Sequence, residues 1–140
     1  MNAETTRTKL ALRVFAAVIV GVVLMVVQVN AVELFREMAH QFPHKGARTL
    51  QDIRAHVERC PSWVLAVVVM MWGVTALTGV GTAGRIGNVW SAAAVGMLIV
   101  AALVCNVSIL PYPLWFRMAT LVLIPWAVVA GATIATRSKA

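Results

Sequence analysis

The densest set of metal-ligating and nucleophilic side chains in this 140-residue chain lies between residues 37 and 60: Glu37, His40, His44, Asp52, His56 and Cys60. Imidazole nitrogens, a thiolate and carboxylate oxygens are what a transition-metal site requires. His40 and His44 are four apart, the spacing that sets two ligands on one helix face, but Pro43 stands between them and interrupts any such face. The favoured reading is therefore solvated interfacial histidines, with no metal, no cofactor and no catalytic residue expected.

The two cysteines, Cys60 and Cys105, fall near the same end of two apolar runs. A common depth on an oxidising side leaves two alternatives open: a disulfide between them, or two free buried thiols.

Other chemistry is sparse. The chain offers no Ser-His-Asp set, no pair of intramembrane carboxylates and no phosphate-binding glycine loop, so an enzyme is not expected. Proton-coupled transport uses ionisable groups within the spans, and four-span multidrug exporters carry a glutamate embedded in the first. Here the first apolar run offers only Gln28 and Asn30, near its end. Pro125, in the middle of the last run, withdraws a donor from the carbonyl of Leu121 and is expected to kink that helix. Trp72 and Trp126 lie near mid-span, where an indole N–H wants a partner; Thr75 and Thr78 are candidate acceptors.

The elements that must position these residues follow from composition. With 61% hydrophobic and 12% charged residues, the chain is far more apolar than a soluble domain, roughly a quarter of which is charged. Apolar stretches at about 10–30, 62–82, 89–110 and 114–136 each approach the roughly 20 residues a helix needs to cross about 30 Å of hydrocarbon. Lipid offers the backbone no hydrogen-bond partners, so each run must be a helix. A β-barrel is excluded because the runs lack period-two alternation. The expected fold is all-α: one integral membrane domain over 1–140, a four-helix bundle with a partly helical outer loop at 31–61.

Within that loop, VELFREMAHQF is expected to extend the first span along the interface, and Pro43 and Gly46 to end it. Thr49 is placed to cap a short helix, TLQDIRAHVER, with Asp52 near the positive end of its dipole. Pro61 suits the first turn of the second span. Val29-Asn30-Ala31 looks like a signal cleavage pattern, but the preceding apolar run is long for a signal core, and retention of this span is expected.

The net charge of +7 is spread over both tails, the long loop and two helix ends. That pattern suits anionic headgroups and topology rather than nucleic acid. Arg7, Lys9 and Arg13 at one terminus, Arg137 and Lys139 at the other, and Arg85 in the turn 82–88 favour cytoplasmic termini in a bacterial inner membrane, against the basic residues of the loop. Each span carries small residues four apart: Ala17 and Gly21; Thr75, Gly79 and Ala83; Ala92 and Gly96; Ala127, Gly131 and Ala135. Such rows allow close helix contact, within one chain or across a dimer. Trp63, Trp90, Tyr112 and Trp115 are expected at headgroup depth.

One eleven-residue stretch, NVSILPYPLWF at 106–116, remains. Pro111 and Pro113 lack the donors that would serve the carbonyls of Val107 and Ile109, so the third span must stop there, with the Asn106 side chain a candidate partner for a freed carbonyl. Asn106, Pro111, Tyr112, Pro113, Trp115 and Phe116 thus read as a structural corner. The pattern N-x-x-x-L-P-x-P-x-W-F resembles a family of uncharacterised small bacterial four-span membrane proteins. That resemblance extends loosely over residues 12–135, with Pro125, Trp126 and Gly131 matching the last span, and implies an architecture but no activity. Family members often carry an acid a few positions after the Trp-Phe pair; here that place holds Thr120.

The leading expectation is a non-enzymatic structural or accessory membrane protein, with the lipid bilayer and either itself or a larger membrane complex as partners. A solute channel, transporter or transporter subunit working near Pro125, Trp72 and the threonines comes second. A redox or metal-handling protein using Cys60, Cys105 and the loop histidines comes third.

Overall fold

Each apolar run folds as one helix, because only the i to i−4 ladder satisfies its backbone without water. The structure, a computed structural model, describes residues 3–41 and 49–137, with side chains from residue 6. The helices are α1 (Ala3–Ala39), α2 (Leu50–Glu58), α3 (Ser62–Ile86), α4 (Val89–Ile109) and α5 (Leu114–Arg137). α1, α3, α4 and α5 are long and apolar enough to cross a membrane, and the chain is an all-α, four-helix bundle with α2 as an accessory helix. Pro43, His44 and Gly46, the expected helix break and one candidate ligand, lie outside the described residues.

The boundaries of α3, α4 and α5 fall where hydropathy puts them, to within a few residues. α1 is longer than its apolar core: the VELFREM segment continues the same helix, giving 37 residues. At about 1.5 Å per residue this is roughly 55 Å, well beyond the thickness of a hydrocarbon core.

Local chemistry sets the ends. Thr49 caps α2 as expected: its Oγ1 accepts from the Asp52 backbone N–H at 3.2 Å, while Asp52 Oδ2 accepts from the Thr49 backbone N–H at 3.0 Å. Pro61 sits one position before the first turn of α3, its carbonyl accepting from Val64 and Leu65 at 3.0 and 3.3 Å. The connection expected over 82–88 narrows to Gly87 and Asn88, since α3 runs on to Ile86. Asn88 Oδ1 accepts from the backbone N–H groups of Trp90 and Ser91 and so starts α4. Gly87 is required by crowding, because a Cβ there would come within 2.8 Å of the Ala17 Cβ. On the same end, Arg13 Nε donates to the Ile86 carbonyl at 2.7 Å.

α3 is the hub: it packs on α1, α4 and α5, and α4 touches α1 and α5 in addition. The small-residue rows meet inside this one chain, and all ten of their residues are buried. A Cβ on Gly131 would stand 2.6 Å from the Leu77 carbonyl oxygen, and one on Gly84 would stand 2.7 Å from the Ala135 Cβ. A Cβ on Gly21 would stand 3.0 Å from the Ala83 Cβ of α3 and 3.1 Å from Val95 Cγ2 of α4. In lipid the water-driven attraction between helices is absent, so this close backbone approach supplies much of the packing energy.

Candidate functional site

The corner at 106–116 is more deeply built into the protein than a headgroup anchor. Leu110 adopts extended backbone, as a residue before proline must. The chain then doubles back so that Tyr112 stacks on Phe116, with ring centroids 4.3 Å apart. Phe116 is fully buried and meets the rings of Trp72 and Trp115 edge-on, at 5.8 and 5.9 Å. Tyr112 is therefore a core residue, which corrects its expected place in the aromatic belt; Trp63, Trp90 and Trp115 do point outward. Burial pushes the Tyr112 hydroxyl pKa up to about 12.

Of the two carbonyls that the prolines release, that of Ile109 finds a partner other than Asn106. Arg54 Nε, from α2, donates to the Ile109 carbonyl at 3.3 Å. The Leu110 carbonyl accepts from the Tyr112 backbone N–H at 2.9 Å and from an Arg117 guanidinium nitrogen at 3.3 Å. The Asn106 carboxamide oxygen is buried with no hydrogen-bond partner. The amide N–H groups of Asn106 make no hydrogen bond to a corner carbonyl among the described residues, where the side-chain donors are Arg54 and Arg117.

Asn106 instead lines a cavity of about 180 Å³ in the half of the bundle nearest α2. α1 contributes Met25, Val29 and Glu33, one face at intervals of four; α3 contributes Trp72 and Thr75; α4 contributes Ile99, Ala102, Leu103 and Asn106; α5 contributes Ile124. The walls are almost wholly apolar. The Thr75 hydroxyl donates to the Met71 carbonyl at 2.9 Å, which leaves its oxygen as an acceptor. Glu33, at the end nearest α2, is paired with Arg36 at 2.6 Å.

A smaller pocket adjoins this cavity and shares Glu33 and Trp72 with it; Arg36, His56, Cys60 and Tyr112 line it together with Val57, Leu65 and Val68. α2 closes the end of the bundle by seating His56 and Val57, both buried. The His56 ring stacks on His40 with centroids 4.4 Å apart, which joins α2 to the end of α1. Among the described residues no group of three metal-ligating side chains converges. No protein-family model, curated protein or solved structure matches this chain.

The other residues singled out in the sequence separate. Both cysteines are free: Cys60 is half-buried beside Tyr112, with its pKa raised by burial against the opposing pull of Arg36, and Cys105 is exposed on the outer surface of α4. The disulfide is not formed, and Cys105 is not the buried thiol of the alternative, because its position on α4 turns it away from the core that Leu103 and Val107 occupy. Pro125 is exposed on an α5 that runs on through it as helix. Trp126 is 66% exposed and faces away from the bundle, whereas Trp72 is partly buried. Thr78, proposed as an indole partner, shares its one hydroxyl proton between Gln28 Oε1 of α1 at 3.0 Å and the Val74 carbonyl at 2.8 Å.

Sequence reasoning missed Glu33 and the site role of Asn106. The i, i+4, i+8 series Met25, Val29, Glu33 was the available signal, but it carries meaning only once the phase of α1 against α3 is known.

Proposed function

We propose that this protein is a non-enzymatic accessory component of a bacterial inner membrane, with both termini cytoplasmic, that packs with itself or with a larger membrane complex. The observation that carries the reading is the state of α1. It buries the smallest share of its residues of the four spans and extends past the cavity toward α2. Its exposed side presents a row of large apolar side chains from Leu10 to Met38, which is 74% exposed. Taking about 30 Å of hydrocarbon from Arg13, beside the α3–α4 turn, to Glu33, beside the corner, leaves Leu10, Leu12, Leu34 and Met38 at or beyond the hydrocarbon edges. Large apolar groups outside the lipid core are the kind of surface a protein partner covers. The small-residue rows are used within the chain, so α1 is the natural contact.

Extraction in a mild detergent followed by size analysis and identification of co-purifying chains tests this. A complex larger than the monomer, lost in a Leu34→Lys, Met38→Lys double variant that keeps its thermal stability, supports the reading. A wild-type chain that runs alone as a monomer overturns it. A second reading, a small-solute binding or transport subunit, is favoured by the cavity beneath Asn106.

A further inference from the structure

We propose that two copies of this chain pair through α1, side by side and parallel, with their Asn30 carboxamides hydrogen-bonded to one another across a twofold axis normal to the membrane. α1 carries two carboxamides in its apolar run, Gln28 and Asn30, and a separation of two residues turns them to nearly opposite sides of the helix. Gln28 faces the bundle and accepts from the Thr78 hydroxyl. Asn30 is exposed, and one of its N–H groups donates to the Val26 carbonyl of its own turn at 2.7 Å. Its other N–H and its Oδ1 have no partner among the described residues. Asn30 lies about 4.5 Å inside the level of Glu33, toward the middle of the hydrocarbon, where lipid chains supply neither donors nor acceptors.

Asn30 belongs to a regular seam. Ala16, Val20, Val23, Val27, Asn30 and Leu34 are all exposed and follow one another at spacings of four, three, four, three and four. That is the pattern of a left-handed helix pair, here about 27 Å long and close to the full hydrocarbon depth. α1 packs on α3 and α4 with its opposite side, where Ala17, Gly21 and Val32 are buried. The seam is thus left uncovered by the described residues of its own chain. Two features select a second copy as its occupant. A carboxamide offers a donor and an acceptor together, so another carboxamide in reverse answers both. Copies inserted the same way carry Asn30 at the same depth, and a twofold axis sets the residues nearest it opposite their own counterparts. A single Asn in an apolar seam fixes register and a two-stranded state in the same manner. Arg13, the next position on the seam before Ala16, is turned to the Ile86 carbonyl of its own chain. Arg7 and Lys9 lie beyond it, outside the hydrocarbon, where salt screens the repulsion between copies. This inference rests on the accessory reading and names its partner.

The test uses the full chain reconstituted in phosphatidylcholine vesicles. In a Cys60→Ala, Cys105→Ala background, oxidation is expected to crosslink Val23→Cys and Val27→Cys into dimers and to leave Val29→Cys, which faces the groove toward α4, uncrosslinked. Energy transfer between labelled copies, followed as added lipid dilutes them, gives the dimer affinity. Asn30→Leu is expected to weaken it roughly three- to thirtyfold, the range for polar side chains bonded between membrane helices. That variant is expected to keep its thermal stability, because Asn30 bonds only within α1, and Asn30→Gln to retain most of the affinity. Crosslinking at Val29→Cys as strong as at Val27→Cys, a dimer unchanged in folded Asn30→Leu, or a wild-type complex whose other member is a different chain overturns the proposal and leaves the accessory reading standing. A wild-type chain that is monomeric in vesicles and brings no partner through purification overturns both.

Discussion

The hydroxyl of Thr78 on α3 donates to Gln28 Oε1 on α1 at 3.0 Å, a side-chain hydrogen bond between two spans fifty residues apart in sequence. Gln28 is the polar residue that the first apolar run carries into the bundle, and this contact is what makes it tolerable there. Interhelical bonds of this kind contribute about 0.6 kcal/mol and rarely more than about 2.

Thr78→Val keeps the side-chain shape and removes the donor. A fall in detergent melting temperature is expected, corresponding to about 1 kcal/mol. Adding Gln28→Leu should restore most of the loss, because both partners then become apolar. A double variant that melts lower than Thr78→Val alone would contradict this account.

Gly131→Ala and Gly81→Ala should differ sharply although both lie on the α3–α5 contact. A Cβ at Gly131 meets the Leu77 carbonyl oxygen at 2.6 Å, whereas one at Gly81 meets nothing closer than 3.6 Å. The backbone cannot step aside as a side chain can, so Gly131→Ala is expected to lose about 1–3 kcal/mol by forcing the helices apart. Gly81→Ala should be near neutral. Chemical denaturation of both variants in one detergent makes the comparison.

Tyr112 is the chain's one tyrosine, so its ionisation can be followed directly by tyrosinate absorbance. Burial raises its folded pKa from 10.0 to about 12. A raised pKa means that the folded state holds its proton more tightly than the unfolded state. The stabilisation is therefore complete below pH 10 and is lost as pH climbs to about 12, some 2–3 kcal/mol in all. A tyrosinate midpoint near that of free tyrosine, with the fold intact, would show that the ring is not buried. Tyr112→Phe should flatten the stability profile across this range.

The two thiols should label at different rates. Cys105 is exposed on α4, while burial raises the pKa of Cys60 and lowers its thiolate fraction. A lipid-soluble maleimide is expected to modify Cys105 first, with Cys60 following only as pH rises or the chain unfolds. Mass analysis after proteolysis reads the order. Recovery of a Cys60–Cys105 crosslinked peptide from unreduced protein would overturn the placement of both.

The four spans were legible because length and continuous apolarity are enough to specify a membrane helix, and α2 because Thr49 and Asp52 carry their own capping chemistry. The role of the aromatic corner was half legible: the prolines announce a turn, but whether Tyr112 faces lipid or core depends on the direction in which the chain folds back. The same holds for Asn106, whose freed neighbours seemed its natural partners until Arg54 arrived from a helix about fifty residues away. Cys60 and Cys105 share an end of the bundle, yet a helix has a circumference as well as a depth, and only packing tells which way Cys105 points. The small-residue rows were visible, but not that α3 would gather them all.

The bond between Gln28 and Thr78 also imposes an order in time. The chain emerges from its N-terminus, so α1 enters the bilayer while its partner is still unmade, and it has little else to lean on. Asn30 meanwhile satisfies one amide hydrogen within its own turn, donating to the Val26 carbonyl at 2.7 Å. Gln28 has to wait for α3. Until then α1 is a guest in the lipid or in the insertion machinery, and its capture by Thr78, Gly79 and Ala83 is the moment at which a set of separate spans becomes one protein.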